Sequence, residues 1–225
     1  MKNIFLALAV ILLTNFSYGQ KKESSEYSEK YESAGGGFIN STGRSKGDMK
    51  GSPYINENFT DANVDGMDKK ARYNAFKDEM EYWDNGIGVT FYGKLNESSV
   101  SFKNPAKKYV YLNYKDGKTF VTGYLIELEK GDKASVYKRE KITFIPGITP
   151  KTSYDRPTPN EYRKASDSYY FSINNGAIDK LPNKKNFAKL FGSNEKAVND
   201  YMKDNNISMN DDKDLIKLFK FVNTL

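Results

Sequence analysis

The chain falls into four stretches when its apolar and polar positions are marked in order. Ile4 to Leu13 is an unbroken apolar run. Gln20 to Lys50 has few apolar residues and no sustained period; it is dominated by Lys, Glu, Ser and Gly and includes Gly35-Gly36-Gly37. From Gly51 to about Leu181 the period is two and turn signals recur at short intervals, which predicts strands. After Pro182 the period becomes 3.6, which predicts helices.

The clearest strand pair is Tyr109 to Tyr114 and Thr119 to Glu129 about Asp116-Gly117, a dipeptide that favours a tight hairpin turn. Phe120, Tyr124, Ile126 and Leu128 share one face of the second strand, with Glu127 and Glu129 on the other, as in a sheet with one wet side. Lys130-Gly131-Asp132 turns the chain into Ala134 to Ile145, so a three-stranded meander is expected. Val89 to Tyr92, Val100 to Lys103 and Tyr169 to Ile173 read as further strands, the last followed by an Asn174-Asn175-Gly176 turn. Pro146, Pro150, Pro157 and Pro159 mark Pro146 to Pro159 as a long irregular loop, a feature often tied to function. Arg72 to Trp83 stays ambiguous by period alone. Tyr73, Phe76, Met80 and Trp83 suit a helical stripe, while Phe76, Met80 and Tyr82 suit a strand face.

Three short helices are predicted at the C-terminal end. Phe187, Leu190 and Phe191 mark one closed by Gly192; Ser193 is placed to cap a second carrying Ala197, Val198, Tyr201 and Met202; Asn210 or Asp211 caps a third with Leu215, Leu218, Phe219 and Val222. Each stripe is apolar on one side, so the helices should pack on the sheet or on one another. The expected fold is α+β: an antiparallel sheet, curled into a sandwich or open barrel, with three short C-terminal helices, all within residues 51–225.

The apolar start changes the picture of where the chain works. Lys2, the ten-residue run and Ser17-Tyr18-Gly19 have the form of a secretory signal cleaved before Gln20, giving a signal peptide over 1–19. A ten-residue helix rises only about 15 Å, roughly half a bilayer core, so an anchor helix is the weaker reading. No cysteine follows it, which excludes a lipid-anchored lipoprotein, and no later stretch approaches a membrane span. An exported protein is expected, in the periplasm, at the outer membrane or outside the cell, with 20–50 as a flexible tether or a partner-binding tail.

The 225 residues contain neither cysteine nor histidine, which excludes disulfides, Cys/His zinc sites, a cysteine nucleophile and a Ser-His-Asp triad. The net charge of +6 comes from 30 Lys and only 5 Arg against 29 acids. Nucleic-acid readers favour the planar fork of Arg, so this balance argues against nucleic acid.

Several constellations are candidates for chemistry. Asp61-Ala62-Asn63-Val64-Asp65-Gly66 matches the first half of a calcium loop, but its twelfth position is Arg72, so a polar turn with Gly66 at positive φ is the better reading. Asp78, Glu79 and Glu81, and again Glu127 and Glu129, offer paired carboxylates of the kind that hydrolyse glycosides across a cleft. A solvated strand face explains the same spacing. Tyr109 and Tyr111 share a strand face beside Lys107, Lys108 and Lys115, a candidate stacking platform for sugar rings or bases. Since Val110, Leu112 and Tyr114 occupy the other face, a central core strand has the same pattern. Ser193-Asn194-Glu195-Lys196 has the Ser-x-x-Lys spacing but reads as a cap, and no phosphate-cradling glycine motif is present. No metal, cofactor or catalytic residue is expected.

Three stretches together resemble a family of exported Gram-negative envelope proteins of unknown function: Gly51-Ser52-Pro53-Tyr54 with Asn58-Phe59, Arg72-Tyr73-Asn74-Ala75 with Asp78-Glu79-Met80-Glu81, and Asp214-Leu215-Ile216-Lys217. The resemblance implies a β-rich domain behind a signal peptide, closed by C-terminal helices, with Arg72 to Tyr82 as a strand. It implies no catalytic residues. The expectation is a non-catalytic binding module whose partner is an envelope glycan or protein, acting through the sheet or the proline-rich loop; the alternative is a carboxylate-dependent hydrolase of envelope glycans.

Overall fold

The structure is a computed structural model describing residues 49–148 and 156–225. The leader, nearly all of the tether and Pro150 lie outside the described residues. Among the described residues twelve strands are formed: β1 Thr60–Val64, β2 Met67–Asn74, β3 Glu79–Asp84, β4 Ile87–Phe91, β5 Ser99–Lys103, β6 Ala106–Asp116, β7 Thr119–Glu129, β8 Ala134–Arg139, β9 Ile142–Ile145, β10 Glu161–Lys164, β11 Ser168–Ile173 and β12 Asp179–Lys180. Three helices follow, α1 Lys184–Lys189, α2 Glu195–Asp204 and α3 Asp212–Thr224. The expected α+β class with C-terminal helices is what forms.

Ten strands make one unclosed antiparallel sheet in the order β12-β11-β8-β7-β6-β5-β1-β2-β3-β4, and β9 and β10 form a separate ribbon. The expected meander is β6-β7-β8. Its first loop is Gly117-Lys118 rather than Asp116-Gly117, since Asp116 still pairs with Thr119. The Asp61–Gly66 stretch forms the expected polar turn with Gly66 at positive φ: Asp65 and Gly66 make a two-residue hairpin turn with φ of 46° and 88°, both in the left-handed region that such turns require.

The sheet bends in two opposite directions. β2 lies four places from β7 in the sheet order, yet Asp78, in the turn after β2, accepts a hydrogen bond from the Tyr124 amide at 3.1 Å. The enclosed core contains Ala62, Val64, Ala71, Tyr73, Met80, Val100, Tyr109, Tyr124 and Ile126. At the other end Lys115, on β6, donates its amide to the Ile178 carbonyl beside β12 at 2.8 Å. That second bend encloses Val110, Tyr114, Leu125, Tyr137 and Tyr170. Alternate residues of β6 and β7 therefore enter two cores, which is why both faces of these strands are apolar.

The helices cover β8 and β11. Phe187, Val198, Met202, Leu215, Leu218, Phe219 and Val222 pack with Ala134, Val136, Tyr169 and Phe171. Asp211 caps α3 by accepting from the Asp214 amide at 3.0 Å, and Asp212 and Asp214 sit in its first turn, where the helix dipole favours negative charge. α1 is capped by Asn183, whereas Ser193 falls inside a 3₁₀ turn and caps nothing: α2 begins after Asn194, with no side-chain cap bond. Among the described residues no helix is long and apolar enough to cross a membrane.

Two elements depart from the sequence reading. Arg72 to Tyr82 is neither a helix nor one strand, because the chain reverses at Ala75–Asp78 between β2 and β3. Ala134 to Ile145 is not one strand either, because β9 leaves the sheet after Glu140 and pairs with β10. There Ile142 donates its amide to the Ala75 carbonyl, and Phe76 packs on Tyr162 and Phe144 at 5.2 and 6.4 Å. The arms of the proline-rich loop extend this ribbon, the Gly147 amide bonding to Asn160 Oδ1 at 2.8 Å and the Ile148 amide to Thr158 Oγ1 at 2.9 Å. Lys50, assigned to the tether, is paired with the ribbon through Asn160 and Tyr162.

Asp78 closes the first bend only because β7 has a glycine beneath it. A Cβ at Gly123 would overlap Asp78 Oδ2. Gly123→Ala should therefore push the carboxylate off the Tyr124 amide and destabilise the protein by about 1–3 kcal/mol, the usual cost of overpacking. A lowered urea midpoint with an unchanged slope checks this.

Candidate functional site

β6 carries most of the tyrosines and lysines singled out in the sequence, and the structure gives them separate roles. Tyr109 is only 2% exposed. Its ring packs on Tyr73 at 4.9 Å and Phe102 at 5.6 Å, and its hydroxyl donates to Glu140 Oε2 at 2.5 Å. Tyr111 is half-buried, with its ring 4.8 Å from Tyr124. The exposed stacking platform therefore gives way to its alternative, because β6 is a central strand covered on both faces. Lys108 points to the opposite face from Tyr109 and pairs with Glu127 at 2.9 Å. Lys115 lies apart at the end of the hairpin, 3.8 Å from Asp179.

Lys107 belongs to a buried ion network. Glu140, almost fully buried, accepts from Lys107 Nζ at 2.9 and 3.1 Å, from Tyr109, and from Lys164 Nζ at 3.3 Å. Lys164 and Lys138 both approach Asp167, at 3.6 and 3.8 Å. Lys138 also donates to Asp212, in the first turn of α3, as does the Tyr169 hydroxyl at 2.9 Å. Burial opposes the charge on Glu140, but the hydrogen bonds from Tyr109 and Lys107 and the charges of Lys107 and Lys164 outweigh it, holding the carboxyl below its ordinary range. Burial and the adjacent Glu140 charge push the Tyr109 hydroxyl far up, so it stays a protonated donor. The chain of alternating charges thus ties β6 to the helices.

The paired-carboxylate candidates are spread over two environments. Asp78 sits at φ 60° in the β2–β3 turn and accepts from the Tyr73 hydroxyl at 2.6 Å. Burial raises its carboxyl, with the hydrogen bonds from Tyr73 and Tyr124 working against that rise. Glu79 and Glu81 lie half-buried on the outer face of β3. Glu81 accepts from Arg72 Nε at 2.8 Å and from the Tyr54 hydroxyl at 3.0 Å. The same guanidinium lies 3.7 Å from the Tyr54 ring centroid and 4.3 Å from that of Phe59. These residues clamp the segment before β1 across the outside of β2 and β3.

Among the described residues three hollows stand out as open to a ligand, and none of these three is lined by Asp78, Glu79 or Glu81. One of about 270 Å³ lies at the mouth of the first bend, with Tyr73, Phe102 and Tyr109 as its aromatic wall and Arg72 and Lys107 at its edge. A second, of about 520 Å³, separates the β5–β6 hairpin from α3; Ile126, Leu128 and Ile216 contribute apolar surface and Lys108, Glu127, Lys138 and Asp212 its charges. A third, of about 630 Å³, runs between the β12–α1 connector and the α2–α3 connector. The charged groups of the first two are committed: Arg72 to Glu81, Lys107 to Glu140, Lys108 to Glu127, and Lys138 to Asp212. Sequence reasoning reached Lys107, Lys108 and Tyr109 but missed Glu140, Asp167 and Asp212, since no local spacing links an acid to a lysine on another strand.

The fold and its hollows define an α+β protein built on one doubly bent antiparallel sheet. No family model, curated protein or solved structure matches the chain.

Proposed function

We propose that this is an exported envelope protein that works as a non-catalytic binding module. The leader-like run over residues 1–19 and the resemblance of the three short stretches to exported envelope proteins support the address. The observation that carries the binding reading is that Asp78 and Glu81 are held by fixed hydrogen-bond donors and line none of the three hollows. General acid–base work on a glycan needs two such groups facing one another across a pocket.

Purified protein incubated with insoluble peptidoglycan, an anionic polysaccharide and envelope extract should be retained on at least one of them. Absence from all three pellets contradicts the reading. The hydrolase alternative makes a different forecast, namely release of reducing ends that Glu79→Gln abolishes with the fold intact. Glu81→Gln is a poorer probe because it also removes half of the Arg72 clamp.

A further inference from the structure

We propose that strand β4, the open edge of the sheet, pairs antiparallel with β4 of a second copy of this chain, so that the protein associates into a two-fold dimer. The inference stands apart from what the hollows bind and goes beyond the binding-module reading.

The strand order puts β12 and β4 at the two edges of the ten-stranded sheet. An edge presents a row of unpaired amides and carbonyls, which proteins blunt with short strands, charges, Pro or bulges. β12 is blunted: it is two residues long, both are charged, Pro182 follows closely, and the Ile178 carbonyl before it is taken by the Lys115 amide. β4 is not. Ile87-Gly88-Val89-Thr90-Phe91 has no charge and no Pro, and it pairs with β3 without a bulge. Ile87 is 64% exposed, and Tyr92, directly after the strand, is 87% exposed.

The turn before β4 fixes which backbone groups face out. Asn85 and Gly86 form a two-residue turn at positive φ, flanked by the Asp84–Ile87 pair, and residues flanking such a turn exchange both backbone bonds. Ile87, Val89 and Phe91 therefore turn their amides and carbonyls to β3, and Gly88 and Thr90 turn theirs outward. Among the described residues no other segment bonds to the Gly88 or Thr90 backbone.

A second copy is the complement of this edge. Pairing the whole strand with itself about Val89 sets Gly88 against the partner's Thr90, so both sets of outward groups are satisfied. The same register lays Ile87 against the partner's Phe91 and Tyr92 against the partner's Gly86, a bulky side chain against none. The chain carries a net charge of +6, yet no charged residue lies between Gly86 and Gly93, so two copies meet here without like charges facing. Covering Ile87, Tyr92 and the outward backbone removes about 400–500 Å² per copy. That total approaches the about 1,000 Å² at which specific interfaces begin, so the dimer is weak. The contact is isologous and uses the sheet's one open edge among the described residues, so association stops at two.

Sedimentation equilibrium of the purified full chain tests the proposal. Wild type should show a reversible monomer–dimer equilibrium in the micromolar range, with no larger species. Thr90→Pro removes an amide that faces away from β3, a position where edge strands tolerate Pro, and should weaken the dimer at least about tenfold with the circular dichroism unchanged. Ile87→Lys, at an exposed side chain, should do the same and decides the matter if the proline variant misfolds. Leu190→Ser removes an exposed apolar side chain at the end of α1 and should change Kd by less than about twofold. The register has its own readout, since the chain contains no cysteine. In the paired strands Val89 lies directly opposite the partner's Val89, within disulfide reach, whereas the two Tyr92 positions stand about 20 Å apart along the ladder. Val89→Cys should therefore cross-link under diamide at least about tenfold faster than Tyr92→Cys, although Tyr92 is the more exposed. A wild type that stays monomeric, unchanged affinity in either folded β4 variant, or an equal loss in Leu190→Ser overturns the proposal. Equal cross-linking of the two cysteine variants, or species that keep growing with concentration, overturns it as well.

Discussion

Glu140→Gln is expected to destabilise the protein by about 3 kcal/mol. The carboxylate is the common acceptor for Lys107, Lys164 and Tyr109, and removing one member of a buried ion pair leaves the other charges uncompensated at a cost of about 3–5 kcal/mol. The low end applies because Lys164 is half exposed and Lys107 retains some contact with water. The pH dependence has a definite sign. The folded carboxyl lies below its ordinary value near 4.5, so its contribution is complete above that value and is lost as pH falls through the folded one. Asp78 works the other way: its folded carboxyl is raised, so protonating it on acidification favours the folded state. In Glu140→Gln the acid-side fall in stability should flatten or reverse. Urea midpoints at pH 7 and pH 4 check both parts, and an unchanged acid limb would remove Glu140 from the account.

Phe187→Ala is expected to cost about 3–5 kcal/mol. Phe187 is fully buried where α1, α3 and β11 meet, with ring centroids 5.3 Å from Phe219, 6.0 Å from Phe171 and 5.1 Å from Phe191. Three aromatic neighbours cannot collapse together into the space without leaving their rotamers, so the cavity term adds to the lost transfer energy. Chemical denaturation followed by far-ultraviolet circular dichroism and by Trp83 fluorescence should show one lowered transition. A loss of helical signal alone, with the tryptophan transition unmoved, would mean that the helices are not coupled to the sheet.

The strands legible in the sequence are those whose alternation is local. β7 shows it plainly, and the paired apolar faces of β6 are explained by two opposite bends meeting at one strand. The β2–β3 hairpin was hidden because its turn, Ala75-Phe76-Lys77-Asp78, contains no Gly, Pro or Asn and relies on Asp78 at positive φ, a conformation stabilised by Tyr73 and by the Tyr124 amide 46 residues away. β9 was hidden because the break, Lys138-Arg139-Glu140-Lys141, is a charged stretch with no Gly, Pro or Asn to mark a turn; what removes β9 from the sheet is its pairing with β10.

The candidate site was legible in part for the same reason. Lys107, Lys108 and Tyr109 stand out by composition, but the Glu140 and Asp212 that fix their neighbourhood come from other elements, as with Lys138 and Asp212, 74 residues apart. Two of the stretches singled out in the sequence, Gly51 to Tyr54 and Arg72 to Glu81, hold architecture: Tyr54, Arg72 and Glu81 make one clamp, and Tyr73 and Asp78 close the first bend. The 630 Å³ groove has no motif at all, since its walls are two connectors joined only by the fold.

The most direct measurement is a mass balance on one sample: the purified protein is mixed with an envelope fraction whose glycans carry a radiolabel, and the insoluble material is spun down after prolonged incubation. A binding module leaves both protein and label in the pellet. Protein in the supernatant together with soluble labelled sugar would contradict it.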